Sequence, residues 1–211
     1  MEKASGKLTL VGTPIGNLSD MSPRAVEALQ GCDFIAAGSK PQVFKATVQT
    51  LASGCAVLDT RKTIPGLRQA QKYAVRVGGG RNQRLALWHG ILIKENHIAA
   101  AGGIPQVLEA ARALDAGVEI QIEVETIAQL EEALAHGARS VLLDNFDTAR
   151  MREAVAVNRG RALLEASGSV ELAQLREIAA TGVDRISIGT LTKDVQATDY
   201  SMRFDTFAGA Q

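Results

Sequence analysis

Aromatic residues are few: five Phe, two Tyr and one Trp make up 4% of the 211 residues. A hydrophobic core must therefore be assembled from Ala, Val, Ile and Leu, within an ordinary globular mix of 46% hydrophobic and 22% charged residues. Cysteine is nearly absent. Cys32 and Cys55 are too few for a disulfide framework or a cysteine-built zinc site and read as buried structural thiols. Net charge is absent too, since 23 Lys and Arg balance 23 Asp and Glu. With no basic stripe, nucleic acid finds no electrostatic footprint. No apolar run is long enough to span a bilayer, and the opening MEKASGK has no apolar signal core. The expectation is a soluble, cytoplasmic protein with neither nucleic acid nor membrane as partner.

What is present is alternation. Short apolar runs begin at Leu8, Asp33, Ala56, Ile91, Val118, Ser140, Ala162 and Arg185. Each has the length and β-branched content of a strand. Helical patterns lie between them: Ser22 to Gly31 with Pro23 at the first turn, Thr126 to Gly137, and a stretch from about Ser169 to Gly182. Such βα alternation implies parallel strands with right-handed crossovers. Eight units fit a closed (βα)8 barrel of eight parallel strands; the alternative is an open doubly wound α/β sheet.

From the third run onward the strands end in polar residues, where a barrel carries its chemistry. Arg61 and Lys62 follow the third, Lys94 to His97 the fourth, and Glu119, Glu123 and Glu125 mark the fifth. Asp144 and Asn145 end the sixth, Glu165, Ser167 and Gly168 the seventh, and Gly189 the eighth. Cations and carboxylates converging on one mouth suit an anionic, metal-bound ligand, with Mg²⁺ on a phosphate ester held by carboxylates and Arg or Lys neutralising carboxylates or pyrophosphate. The glycines of the last two strands match a barrel phosphate site. Bland readings stand beside these. His136 ends a helix with the dipole's favour, Trp88 packs, and Glu131 and Glu132 form a solvated face. Glu119 and Glu125 face solvent or line the barrel, and His97 orients a neighbour or caps a loop.

DTRKTIPGLR (Asp59 to Arg68), QKYAVRVGGGRNQR, ILIKENHI, IEVET, LLDNF, LLEASG, GVDRISIGTLTKDVQ and SMRF follow in order over residues 55–204. This series resembles the barrel domain of quinolinate phosphoribosyltransferase, the carboxylating nicotinate-nucleotide pyrophosphorylase. The resemblance implies transfer of phosphoribose from phosphoribosyl pyrophosphate to quinolinate, with loss of CO2. It places Arg61, Arg84 and Lys94 at quinolinate and Lys62 toward pyrophosphate. Glu123 and Asp144 fall at the catalytic centre beside Mg²⁺ and ribose, and Ser167, Gly168 and Gly189 at the 5-phosphate. Two departures stand out. Gln83 sits where the family has a quinolinate-contacting His, and His89 where it usually has Asp. Nothing here matches the family's N-terminal domain, which the resemblance implies would cover a dimer partner's mouth and supply a further Arg.

GKLTLVGTPIGNLSDMSPRAVEALQGCDFIAA (Gly6 to Ala37) is similar instead to the start of the small-subunit ribosomal RNA 2′-O-methyltransferases of the tetrapyrrole-methylase superfamily. The likeness stops at Gly38-Ser39-Lys40-Pro41, so Gly12, Thr13, Pro14 and Gly16 read as structural. Two unrelated pieces thus meet without a linker. The resulting expectation is an engineered chimera forming one barrel domain: a βαβ fragment over 6–40, a junction helix over 41–55, the phosphoribosyltransferase-like part over 56–193 and a tail over 194–211. Tyr200, Met202, Phe204 and Phe207 of the tail are expected to dock on the barrel. The expected function is a scaffold without enzymatic activity that needs no cofactor. It would be a monomer keeping affinity for a phosphate or pyrophosphate-type anion, with Mg²⁺ present only if phosphoribosyl pyrophosphate binds. The alternatives are a weak quinolinate phosphoribosyltransferase and an S-adenosylmethionine binder.

Overall fold

The computed structural model describes residues 54–194. The expectations for Cys32, for residues 6–40, for most of the junction helix and for the docking tail lie outside them.

Six parallel strands form one sheet. They are β1 (Ala56–Leu58), β2 (Ile91–Ile93), β3 (Ile120–Val124), β4 (Ser140–Asp144), β5 (Leu163–Ser167) and β6 (Arg185–Ser187). Their order is β1-β6-β5-β4-β3-β2. Each of the last six expected runs is thus a strand, while the first two fall outside the described residues. Between the strands lie α1 (Arg68–Val77), α2 (Glu95–Ala101), α3 (Ile104–Ala113), α4 (Ile127–Ala135), α5 (Thr148–Asn158) and α6 (Leu175–Ala179), and α7 (Thr190–Lys193) follows β6. Single 3₁₀ turns occupy Leu87–His89 and Leu172–Gln174.

The period of two along each strand separates two environments. Val57, Ile93, Ile122, Val124, Val141, Leu143, Leu164, Ala166, Ile186 and Ile188 join the core beneath the helices. The alternate positions, Leu92, Glu123, Leu142, Asp144, Glu165, Ser167 and Ser187, line a cavity. A doubly wound sheet would bury both faces in apolar packing. The curvature is read directly from side chains. Gln121 of β3 donates to Glu165 of β5 across β4 at 2.9 Å. Arg185 at the start of β6 reaches Glu119, just before β3, at 2.9 Å. That pair also settles the role of Glu119, while Glu125 is exposed.

Helix ends follow local chemistry. Thr126 caps α4 by accepting from the Gln129 N–H, and Asp147 caps α5 by accepting from the Arg150 N–H. His136 is the C-terminal cap of α4. The Nδ1 of His97 accepts from the Lys94 N–H at 3.0 Å, closing a capping box on α2. The helix expected from Ser169 begins later. Ser169 has φ of 47°, in the left-handed region, so it cannot open a helix. Glu171 is extended and caps the 3₁₀ turn that leads into α6. Trp88 is 81% exposed and so is not the packing residue it was expected to be. Cys55 is buried as expected, and burial pushes its thiol up to about 11.

Candidate active site

Parallel strands bring all their C-terminal ends to one rim. There a cavity of about 510 Å³ opens. Arg61 and Lys62 enter it after β1, Arg84 from the loop before β2, and Lys94 after β2. Glu123 and Asp144 come from the adjacent strands β3 and β4, while Ser167, Gly168 and Gly189 close the side at β5 and β6. All nine candidate residues therefore share one cavity.

The cation side is held by a buried network. Asp59, 0% exposed, accepts from Lys72 Nζ at 2.5 Å, Asn82 Nδ2 at 2.6 Å and the Gln83 N–H at 2.9 Å. Burial pushes the Asp59 carboxyl up and the Lys72 ammonium down, and each partner opposes the other's shift. The network fixes the backbone of residues 82–84 and so aims Arg84. Gln71 ties the other loop. Its Oε1 accepts from the Ile64 N–H at 2.9 Å and its Nε2 donates to the Thr192 carbonyl at 2.8 Å. Thr192 in turn donates to the Lys62 carbonyl at 2.7 Å.

Arg61 and Arg84 each carry a buried Nε without a hydrogen-bond partner among the described residues. Burial, and then the neighbouring Arg61, lower the Arg84 guanidinium; Glu165 and Glu123 offset part of this. Arg84 also donates from one terminal nitrogen to the Gly90 carbonyl at 3.3 Å, and a buried guanidinium Nε is a donor suited to an anionic partner. Lys94 pairs with Glu123 at 2.9 Å, and Asp144 accepts from Asn145 Nδ2 at 3.0 Å. Gly168 cannot be replaced without movement. It has φ of 96°, and a Cβ there would lie 2.9 Å from the Asn145 backbone nitrogen and closer still to its side chain. Lys62 and Lys193 both lie over Gly189, 3.6 Å from where its Cβ would be.

Gln83 lines the cavity, with both ends of its amide engaged within the protein. Its Oε1 accepts from the Arg84 N–H at 2.6 Å and its Nε2 donates to Gln121 Oε1 at 3.1 Å. His89 is exposed, and its Nδ1 accepts from the Leu85 N–H at 3.3 Å. Two lining residues, Glu165 and Lys193, lie outside the sequence-predicted site, as does Gln121, which is buried behind Glu165 and bonded to it. In the sequence Glu165 is one more polar strand end, Gln121 an uncharged residue between two glutamates, and Lys193 the last residue of the βα pattern. Alternation from Glu119 and Glu123 would have put Gln121 on the inner face. Lys193, four residues after Gly189, is one helical turn away from it.

Over residues 37–203 the chain matches the model of the quinolinate phosphoribosyl transferase C-terminal domain. It is 44% identical over 149 residues to the carboxylating nicotinate-nucleotide pyrophosphorylase of Mycobacterium leprae, covering 69% of this chain and 52% of that protein. With the chloroplastic nicotinate-nucleotide pyrophosphorylase of Arabidopsis thaliana it shares 37% over 174 residues, covering 74% and 50%. The solved structure of the nicotinate-nucleotide pyrophosphorylase from Francisella tularensis superposes with a TM-score of 0.70 at 44% identity, covering 74% of this chain and 56% of that one. The chain spans about half the length of the curated relatives it matches. These findings overturn the expectation of an engineered chimera serving as an inactive scaffold. The relatives are enzymes of one natural family, and the match takes in residues 38 to 55, where two unrelated pieces were expected to meet. The polar strand ends converge on one cavity, as their sequence positions led us to expect.

Proposed function

Since the chain belongs to the quinolinate phosphoribosyl transferase family through the C-terminal domain of that enzyme, we propose that its cavity transfers phosphoribose from phosphoribosyl pyrophosphate to quinolinate. The products are nicotinate mononucleotide, CO2 and pyrophosphate. The observation that supports this most is the meeting of Arg61 and Arg84, each with a buried Nε that has no partner among the described residues, with Glu123 and Asp144 in one cavity.

Quinolinate is a planar dianion with two adjacent carboxylates. Guanidinium forks match that geometry, and the unmet Nε groups of Arg61 and Arg84 supply donors already desolvated. Lys94, now on Glu123, gains a second carboxylate to serve when the ligand enters. The ring nitrogen then forms a bond to C1′ of the ribose while the C1′–O bond to pyrophosphate breaks. Positive charge grows on the sugar, and the carboxylates of Glu123 and Asp144 stabilise it. Departure of CO2 leaves its electron pair at ring C2, next to the cationic nitrogen, until a proton replaces it. Ser167, Gly168 and Gly189 hold the 5-phosphate, with Lys62 and Lys193 beside it for the pyrophosphate.

No cluster of three or more metal-binding side chains occurs among the described residues. Two carboxylates on adjacent strands suit an ion that arrives with phosphates as its other ligands, as Mg²⁺ does. Glu123 and Asp144 would hold it there, where it would neutralise the departing pyrophosphate.

Calorimetric titration with phosphoribosyl pyrophosphate and Mg²⁺ tests the site. One binding event per chain is expected, competed by pyrophosphate and weakened about tenfold or more by Lys62→Ala, the loss of one phosphate-facing charge. Binding indifferent to Lys62→Ala and to pyrophosphate would refute it.

A further inference from the structure

Taking the cavity as the quinolinate site just proposed, we propose that Glu165 is a further ligand-contacting residue, whose Oε1–H donates a hydrogen bond to the bound pyridine dicarboxylate beside Arg84.

Glu165 lines the cavity yet is 1% exposed, and its Oε1 has no hydrogen-bond partner among the described residues. The direction of every bond leading to it is fixed by a backbone group. The Arg84 N–H can only donate, and it donates to Gln83 Oε1 at 2.6 Å. The other end of that amide, Nε2, must then be a donor, and it meets Gln121 Oε1 at 3.1 Å. Gln121 therefore turns its own Nε2 outward and donates to Glu165 Oε2 at 2.9 Å. Side-chain amide orientations are ambiguous in isolation, but a chain anchored on a backbone donor has only one polarity. Oε2 is thus an acceptor, and a proton on this carboxyl belongs on Oε1.

The surroundings favour that proton. Burial raises the Glu165 carboxyl above its ordinary range, and Glu119 adds to the rise; Gln121, Ser187 and Arg185 oppose it. The Ser187 hydroxyl, whose other acceptor within reach is the Ala166 carbonyl at 3.4 Å, works against the proton without cancelling the effect of burial. Arg84 lines the same cavity, close enough for the carboxyls of Glu165 and Glu123 to act on its guanidinium. A protonated carboxyl at this place offers a donor to an incoming carboxylate. An ionised one would repel the same carboxylate and compensate the Arg84 charge meant for it.

The test is calorimetric binding of quinolinate to the full chain and to Glu165→Gln and Glu165→Leu, from pH 5.5 to 9. A Gln can accept from Gln121 with its oxygen and place its NH2 where Oε1 stood. Glu165→Gln is therefore expected to stay within about threefold of the parent at low pH and to hold its affinity as pH rises, while the parent weakens. Glu165→Leu is expected to lose about 10–100-fold, the value of a hydrogen bond to a charged group, with Mg²⁺–pyrophosphate binding unchanged. Equal affinity of Glu165→Leu and the parent, or parallel pH profiles of Glu165→Gln and the parent, overturn the assignment while the quinolinate site stands. No quinolinate binding by the parent at any pH overturns both. Should Glu165→Leu not fold, the pH comparison with Glu165→Gln decides alone.

Discussion

Lys72→Met is the most informative perturbation of the site's frame. Lys72 and Asp59 are 1% and 0% exposed, and the ammonium and carboxylate sit 2.5 Å apart. Removing one member of a buried pair leaves the other uncompensated, at a cost of about 3–5 kcal/mol. Asp59 would keep two of its three donors, Asn82 Nδ2 and the Gln83 N–H, which places the loss toward the lower end of that range. At roughly 2–4 °C per kcal/mol for a chain of this size, the midpoint should fall by about 6–20 °C in a thermal melt followed by circular dichroism. Asp59→Asn combined with Lys72→Met removes both charges while Asn keeps an acceptor for the Gln83 N–H. This double variant should regain on the order of 1–2 kcal/mol of the single variant's loss, since the uncompensated charge is gone. Because the pair fixes the backbone that aims Arg84, quinolinate binding should suffer in both variants more than pyrophosphate binding. A midpoint shift below about 2 °C for Lys72→Met, well short of what the buried-pair cost implies, would refute the reasoning. So would a double variant less stable than the single one.

Other consequences follow from named geometry. Gly168→Ala, at φ of 96° and facing the Asn145 backbone nitrogen at 2.9 Å, should lose about 1–3 kcal/mol from backbone strain alone and weaken phosphate-ester binding; a chemical denaturation midpoint equal to the parent's would contradict this. Arg84→Lys removes the planar fork and should raise the quinolinate dissociation constant about 10–100-fold, as loss of a buried charge-assisted contact does, with phosphoribosyl pyrophosphate affinity held within a few-fold; calorimetry with each ligand separates the two. For Glu165, the folded carboxyl titrates above its ordinary value of 4.5, so the folded chain holds a proton that the unfolded chain releases. Its contribution to stability is full below pH 4.5 and is lost as pH rises through the folded value. Glu165→Gln should flatten that decline in the melting midpoint, and superimposable pH–stability curves would count against it.

The strands were legible because β-branched runs four to eight residues long sit between glycine-ended helices. The mouth was legible because one side of a barrel collects every strand's C-terminal end. Other features were hidden for physical reasons. Gln83, Gln121 and Glu165 are 38 and 44 residues apart in sequence, and two of the three carry no charge, so only the curvature of the sheet brings them together. The late start of α6 depends on a left-handed Ser169, a conformation that serine seldom adopts and no local pattern announces. α5 is thinly patterned, burying only Met151, Ala154 and Asn158 along eleven residues. Trp88, expected to pack, lies on a 3₁₀ turn that leaves it 81% exposed. The expectation of an inactive chain rested on the linker-free joining after Gly6 to Ala37, the unmatched N-terminal domain and Gln83, none of which bears on the convergence of the cavity residues.

The most direct test is formation of nicotinate mononucleotide from quinolinate, phosphoribosyl pyrophosphate and Mg²⁺, with Asp144→Ala alongside. The account predicts turnover by the parent chain and its loss, by about a hundredfold or more, when the Asp144 carboxylate is removed from the developing charge. A folded parent chain that makes no nicotinate mononucleotide, or turnover that survives Asp144→Ala, would contradict it.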